Sequence, residues 1–358
     1  MYTIISCEQY TSLGERIFQA FGFSKEESQQ ITDVLLWADL FGVESHGISR
    51  ILKYYRLLKD GIVDRHAVPK KVFETPLSAV IDAKSSMGQL AASAAMREAI
   101  DKAKEHGVGM IQVKNSNHYG IAGYYALMAA GEGLIGISMT NTVAIMVPTF
   151  SAEALLGSNP IAIAVPTKGD PFLFDGATTV ITRGKLELYK KLEKELPYDW
   201  AVDDEGLISH DPAEVLDCIG KKTGGGILPV GGAGEEQSGY KGYGFAMICE
   251  IMTSVLSGGV SAIHKKETGD TSQCFYAIDP GLFGNKEEIK ERLTTLITEI
   301  HGAKKAKGQE RIWVAGEKEF LRAEQRKEEG IPINEKTIEE LNHIALELGI
   351  KGVESSGD

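Results

Sequence analysis

The order of strand and helix signals predicts an α/β fold, and three observations carry that reading. Residues 108–113 have strand character, residues 115–120 form a polar loop ending in glycine, the apolar run to residue 130 has helical character, and residues 135–139 return to strand. Hydrophobic residues make up 43% of the chain and charged residues 25%, the balance of a globular protein. At 358 residues the chain is long enough for two or three closely packed lobes.

In chain order, Ser24-Lys25-Glu26-Glu27 has the form of a capping box, and Ile31, Val34, Leu35 and Ala38 recur at helical spacing, predicting a helix to about residue 40. Gly42 and Ser45 punctuate it. Ile48, Ile51, Leu52, Tyr55 and Leu58 mark a second helix that stops near Gly61, which places His46 and Arg50 one turn apart on one face at its start. Residues 72–73 and 79–81 read as strands, and residues 89–105 as a helix ended by His106-Gly107. Further strands are predicted at 161–165, 172–174 and 274–278, and helices near 185–196, 242–256 and 286–300. The charged stretches 317–329 and 335–348 predict two helices that pack back on the N-terminal ones. The expected division is a helical lobe of residues 1–66 and 317–358, a sheet-containing lobe of 67–178 and 260–316, and a mainly helical third segment of 179–259.

A formal charge of −12 and a pI of about 5.3 argue against nucleic acid or an anionic membrane as partner, because both reward a basic face. They leave open a small anionic ligand, which responds to a few local cations. Cys7, Cys218, Cys249 and Cys274 are widely spaced and suggest neither a disulfide framework nor a thiolate zinc site. The N-terminus lacks the basic and apolar regions of a signal peptide, so a cytoplasmic location is expected. The apolar stretch 242–263 is broken by Glu250 and Gly258-Gly259 and reads as a buried helix rather than a membrane span.

Residues 131–136, Gly-Glu-Gly-Leu-Ile-Gly, match G-x-G-x-x-G literally, but a helix precedes them and a strand follows. The dinucleotide fingerprint needs the opposite order, so the match reads as a turn. Two other places offer backbone amides at a helix start: the loop 115–120, and residues 239–244 with Lys241 as a point charge. A solvated loop and a plain helix start explain them as well.

Ser45-His46-Gly47 with Arg50 carries more chemistry. Reduction of a 2-oxo acid needs a proton for the forming alkoxide, which a histidine supplies near neutrality, and a holder for the carboxylate, which the arginine fork matches. Spacing alone fits a capping Ser45 and a surface-paired Arg50 equally. The rival class is a metal-dependent hydrolase or lyase built on His46, His118 and Asp175; no His-Glu-x-x-His or similar spacing supports it, and no metal is expected.

Glu44-Ser45-His46-Gly47 with Arg50, Asn117-His118-Tyr119-Gly120, Leu156-Gly157-Ser158-Asn159-Pro160, Asp175-Gly176-Ala177-Thr178 and Arg183-Gly184-Lys185 resemble, in order, the blocks of the malate/L-lactate dehydrogenase superfamily that is distinct from the Rossmann dehydrogenases. The series continues through Trp200-Ala201-Val202-Asp203, Tyr240-Lys241-Gly242 and Gly316-Glu317. The resemblance implies a non-Rossmann nucleotide-binding α/β fold with a largely antiparallel central sheet and a helical lobe formed by both termini. It also implies a homodimer with its site near the subunit interface, NAD or NADP as cofactor bound by the sheet-containing lobe, and a small 2-hydroxy/2-oxo acid as substrate, malate/oxaloacetate first and lactate-like acids second.

Carried over by that resemblance, His46 is the proton donor, Ser45 its hydrogen-bonding neighbour, Arg50 the carboxylate clamp and His118 the second acid/base candidate. His118, Tyr119, Gly120, Thr142, Asp175, Gly176, Ala177, Lys241, Gly316 and Glu317 fall at cofactor-contacting positions, and Ser158 at a substrate or cofactor contact. Imino-acid reductases of the family place an aspartate where Lys185 stands, so their Ser-His-Asp relay is broken here, and Lys185 is expected to bond a substrate oxygen or to favour neutral histidine. Gly176 stands where relatives carry a larger apolar residue.

Overall fold

The computed structural model describes residues 2–266 and 268–353; the last five residues of the predicted 317–358 portion lie outside them. The chain forms β1 (Tyr2–Ile5), α1 (Cys7–Ala20), α2 (Lys25–Leu40), α3 (Ile51–Lys59), β2 (Lys70–Glu74), β3 (Ser78–Asp82), α4 (Gly88–His106), β4 (Val108–Ser116), α5 (Ala122–Gly131), β5 (Ile135–Thr140), β6 (Ile161–Val165) and β7 (Phe172–Gly176). It continues through α6 (Arg183–Lys191), β8 (Ala201–Val202), α7 (Pro212–Lys221), β9 (Gly226–Ile227), α8 (Gly239–Glu250), β10 (Thr271–Ile278), α9 (Lys286–Gly302), α10 (Glu317–Glu329), β11 (Ile331–Asn334) and α11 (Glu335–Glu347).

The central sheet has the order β2-β3-β4-β10-β5-β6-β7, and every pairing in it is antiparallel except β3 with β4. The mixed α/β class and the mostly antiparallel sheet agree with expectation. Strand β10 enters from far along the chain to sit at the centre, between β4 and β5. Alternating burial along β3, β5 and β6 marks the pleat, whereas β10 is buried through its interior.

Helices α4 and α5 lie on this sheet, α4 against β4 and β10, α5 against β5 and β6. Two strand glycines permit the close approach: a Cβ on Gly109 would lie 1.9 Å from the Ala99 carbonyl oxygen, and one on Gly136 would lie 2.2 Å from that of Ala126. Small residues on α4, among them Ala91, Ala92, Ala95, Ala99 and Ala103, complete the contact. The G-x-G-x-x-G match is the turn from α5 into β5.

The capping box at Ser24 forms as predicted, its hydroxyl accepting from the Glu27 amide and the Glu27 carboxylate accepting from the Ser24 amide. Helix α2 then carries α1 on one side and α10 on another, and α11 packs on α3, so both ends of the chain share one helical lobe. The sequence reading missed the device that ties them, the antiparallel pair β1–β11. Four-residue strands lack the length that makes alternation visible.

Helix α3 buries Ile51, Tyr54 and Leu57, so the inward stripe is turned by one residue from the predicted Leu52, Tyr55 and Leu58, which pack at its margin. A separate core of Ile145, Ile181, Leu186, Leu196, Ala201, Val215, Ile219 and Ile227 serves residues of the third segment and borrows Ile145 from outside its expected bounds. The predicted helix over 242–256 is α8 followed by a π turn at Ile251–Val255. Among the described residues no helix is long and apolar enough to cross a membrane. All four cysteines are free thiols.

Candidate active site

The site forms where the connection from α2 to α3 meets the loop from β4 to α5. The connection is not the single helical turn that the spacing predicts: Glu44–His46 and Ile48–Arg50 form separate 3-10 turns with a break at Gly47, so His46 and Arg50 do not share one helical face. Asp39 at the end of α2 is the cause. Its buried carboxylate accepts the Ile48 amide at 2.7 Å and the Tyr10 hydroxyl at 2.6 Å. A Cβ on Gly47 would lie 2.0 Å from that carboxylate, so only glycine lets the chain pass. Burial pushes Asp39 up to about 6, against the lowering effect of its two donors.

Half-buried His46 contacts the Ser45 hydroxyl through Nδ1 at 2.9 Å. The His118 ring lies 5.4 Å from it, centroid to centroid, with the planes 31° apart. His118 Nδ1 meets the Tyr54 hydroxyl at 2.7 Å and the Gly120 amide at 3.3 Å. An amide can only donate, so Nδ1 is the acceptor and the proton of the neutral ring sits on Nε2. Desolvation, and then the charges of Arg50 and Lys53, push His46 down to about 3. Burial, His46, Arg50, Lys53 and Lys265 likewise hold His118 well below the ordinary imidazole range.

Two cavities meet here, and His46, Gly120, Ser158 and Pro160 border both. The first is walled also by Lys53, His118, Tyr119, Thr142, Lys265 and Thr271. The second, about 340 Å³, is walled by Asp175, Gly176, Ala177, Gly316 and Glu319 among others. The Ser158 and Thr142 hydroxyls lie 3.3 Å apart, and Asn159 locks this corner by accepting the Thr142 amide and donating to buried Glu250. Asp175 accepts the Gly123 amide at 2.7 Å in the first turn of α5, so that amide is already engaged. Burial raises Asp175 to about 6. The Tyr119 ring is stacked on Tyr125 in the core.

Several expected site residues stand elsewhere. Arg50 is on the wall of neither cavity; its Nε donates to the Ser45 carbonyl, while its charge acts on both histidines. Lys185 is exposed, 5.8 Å from the Tyr189 ring and 5.9 Å from that of Trp200, and the structure does not bring it to the histidines. Lys241 sits over Tyr240 at the start of α8. Glu317 accepts the Val314 amide and pairs with Arg311, and its neighbour Glu319 borders the second cavity instead. His46 and His118 come together but Asp175 does not join them, and among the described residues no group of three His, Cys, Asp or Glu is placed to hold a metal ion.

Sequence reasoning overlooked Asp39, Tyr54 and Lys265. A carboxylate at the end of an otherwise apolar helix face was the available signal for Asp39. Tyr54 was hidden by the one-residue turn of the α3 stripe, and Lys265 lies in a polar segment without periodicity.

A family model for malate/L-lactate dehydrogenases matches residues 5–342. Malate dehydrogenase of Pyrococcus abyssi is 43% identical over 357 residues, covering 99% of this chain and 97% of that protein. L-sulfolactate dehydrogenase of Methanocaldococcus jannaschii is 37% identical, covering 93% and 94%. The crystal structure of malate dehydrogenase from Entamoeba histolytica superposes with a TM-score of 0.94 at 32% identity, over 98% of this chain and 99% of that one. With a family model matched over residues 5–342, a relative 43% identical along nearly its whole length and a superposable fold, the chain belongs to the malate/L-lactate dehydrogenase family and is an oxidoreductase.

Proposed function

We propose that the protein transfers a hydride between nicotinamide C4 of NAD or NADP and C2 of a small 2-hydroxy/2-oxo acid, with malate/oxaloacetate as the leading pair. The observation that carries this reading is the junction of two cavities at His46: one with glycines and alanines among apolar side chains and two carboxylates, the other walled by histidine and lysine. The second cavity suits a nucleotide because Gly120, Gly176, Ala177 and Gly316 open part of its wall between apolar side chains such as Phe41 and Phe174, and Asp175 and Glu319 are acceptors of the kind that bind ribose hydroxyls. Bound there, the nicotinamide supplies or takes the hydride.

The chain's own groups divide the remaining work. Lys53 and the Arg50 charge draw the substrate carboxylate into the first cavity. His118, neutral with its proton on Nε2, donates a hydrogen bond to the substrate oxygen and polarises it. His46 exchanges the proton through Nε2 while its Nδ1–H is held by the Ser45 hydroxyl. Burial, and then the charges of Arg50 and Lys53, keep His46 neutral; an anionic substrate offsets the charge part, so binding moves the imidazole toward the range in which it carries a proton.

The test is NADH or NADPH oxidation followed by absorbance with a panel of 2-oxo acids. Turnover is expected with oxaloacetate, and folded protein inactive on every acid overturns the proposal. His46→Asn is expected to lower kcat by about 10²- to 10⁴-fold and to remove a limb of its pH profile. His118→Asn is expected to lower kcat while keeping that limb. The reverse pattern transfers the acid/base role to His118.

A further inference from the structure

We propose that Lys265 binds a second anionic group of the substrate, a distal carboxylate or sulfonate, and so selects two-charge 2-hydroxy acids over those that end in a methyl group. The inference rests on the reading above and adds the residue that decides which acid is used.

Lys265 follows the short turn Ala262–His264 and is 4% exposed, yet it borders the same cavity as His46 and His118. Its ammonium donates to two neutral acceptors, the Gly269 carbonyl at 3.2 Å and the Thr271 hydroxyl at 3.0 Å. A lysine has three donors, and a buried ammonium is costly unless an anion meets it. Burial lowers the ammonium to about 8, while Asp270 and Glu250 favour the charged form from nearby and Lys53 opposes it. Glu250 cannot turn to Lys265 without loss, because its oxygens already serve Asn141, Asn159, Ser254 and the Ala262 amide. Among the described residues the cavity wall carries two lysines and no carboxylate.

One carboxylate suffices to answer Lys53 and the more distant charge of Arg50 at the reacting end of the substrate. Lactate would leave Lys265 facing a methyl group, whereas malate or sulfolactate carries its second charge on the carbon beyond C2. The cost of leaving a buried charge unmatched is then the source of selectivity, more than any attraction in water.

The experiment compares wild type, Lys265→Met and Lys265→Gln, the last keeping a donor for Gly269 or Thr271 without the charge. Steady-state kcat/KM is measured for oxaloacetate, sulfopyruvate and pyruvate, and binding of L-malate, sulfolactate and L-lactate by calorimetry on the full chain with NADH present. Both variants are expected to lose about 10²-fold in kcat/KM for oxaloacetate while pyruvate changes by less than about threefold, as removal of one charge-assisted contact predicts. A parallel loss with sulfopyruvate extends the site to both anions, and a loss with oxaloacetate alone restricts it to carboxylate. Equal losses for oxaloacetate and pyruvate, or an unchanged preference, overturn the proposal. If no 2-oxo acid is turned over but malate binds more tightly than lactate only when Lys265 is present, the hydride-transfer reading fails and the subsite stands.

Discussion

His46 is neutral in the free protein because its ring has lost water and two cations oppose a third charge, and this has a consequence for stability. A histidine whose folded pKa lies below its unfolded value takes up a proton on unfolding. Its contribution is complete above about pH 6.5 and is lost as the pH falls toward about 3. His46→Asn is therefore expected to lose less stability than wild type between pH 6.5 and 4, with the difference growing by at most about 1.4 kcal/mol per pH unit. Urea titrations at several pH values measure it, and a constant difference would show that His46 ionises normally. Asp39 acts in the opposite sense: raised to about 6, its contribution is complete below about 3.8 and is lost as the pH rises through 6. Tyr54 is a positioning residue, since its hydroxyl holds His118 from the side away from Nε2. Tyr54→Phe is expected to reduce kcat by about tenfold with KM nearly constant, and a larger change in KM than in kcat would contradict that role.

The connection between α2 and α3 shows how an element places chemistry. Asp39 takes the Ile48 amide, Tyr10 takes the other side of the same oxygen, and the two short turns between them hold His46 at the junction of the cavities. Gly47→Ala would set a methyl group against the Asp39 carboxylate and displace the segment. The expected cost is about 1–3 kcal/mol of stability, with kcat falling at the same time because His46 moves with its backbone. Thermal unfolding and steady-state rates on the same sample check both parts, and normal values for both would show that the segment yields without consequence. Helical periodicity could not reveal this connection, because 3-10 turns three residues long carry too few positions to display a period.

Among the described residues, the π turn and the helix before it leave one side exposed. Phe245, Ile248, Ile251, Val255 and Leu256 are between 42% and 62% exposed, a continuous apolar stripe on one side of a segment whose other side buries Cys249 and Glu250. Exposed apolar stripes of this kind commonly mark interaction surfaces, and the homodimer expected from the family resemblance is proposed as its cover. Ile248→Asp combined with Val255→Asp is expected to convert a dimer into monomers in size-exclusion chromatography with light scattering. A wild-type chain that runs as a monomer, or a variant that stays dimeric, would refute it.

Capping boxes, helix-ending glycines and most strands of the sheet were legible in the residues, because each rests on contacts within a few positions of itself: Ser24 with Glu27, Gly107 behind α4, the alternation of β6. The ordered blocks around His46, His118, Ser158 and Asp175 likewise named the family, since catalysis ties residue type to place along the chain. Sequence could not order β10 between β4 and β5, nor pair the two ends of the chain, nor bring Tyr54 behind His118 and Lys265 to its cavity. These depend on contacts between residues tens to hundreds of positions apart, which leave no local pattern. The pair of His46 and Arg50 shows the difference: spacing set them on one helical face, and the carboxylate of Asp39, packed under Gly47, set them in separate turns.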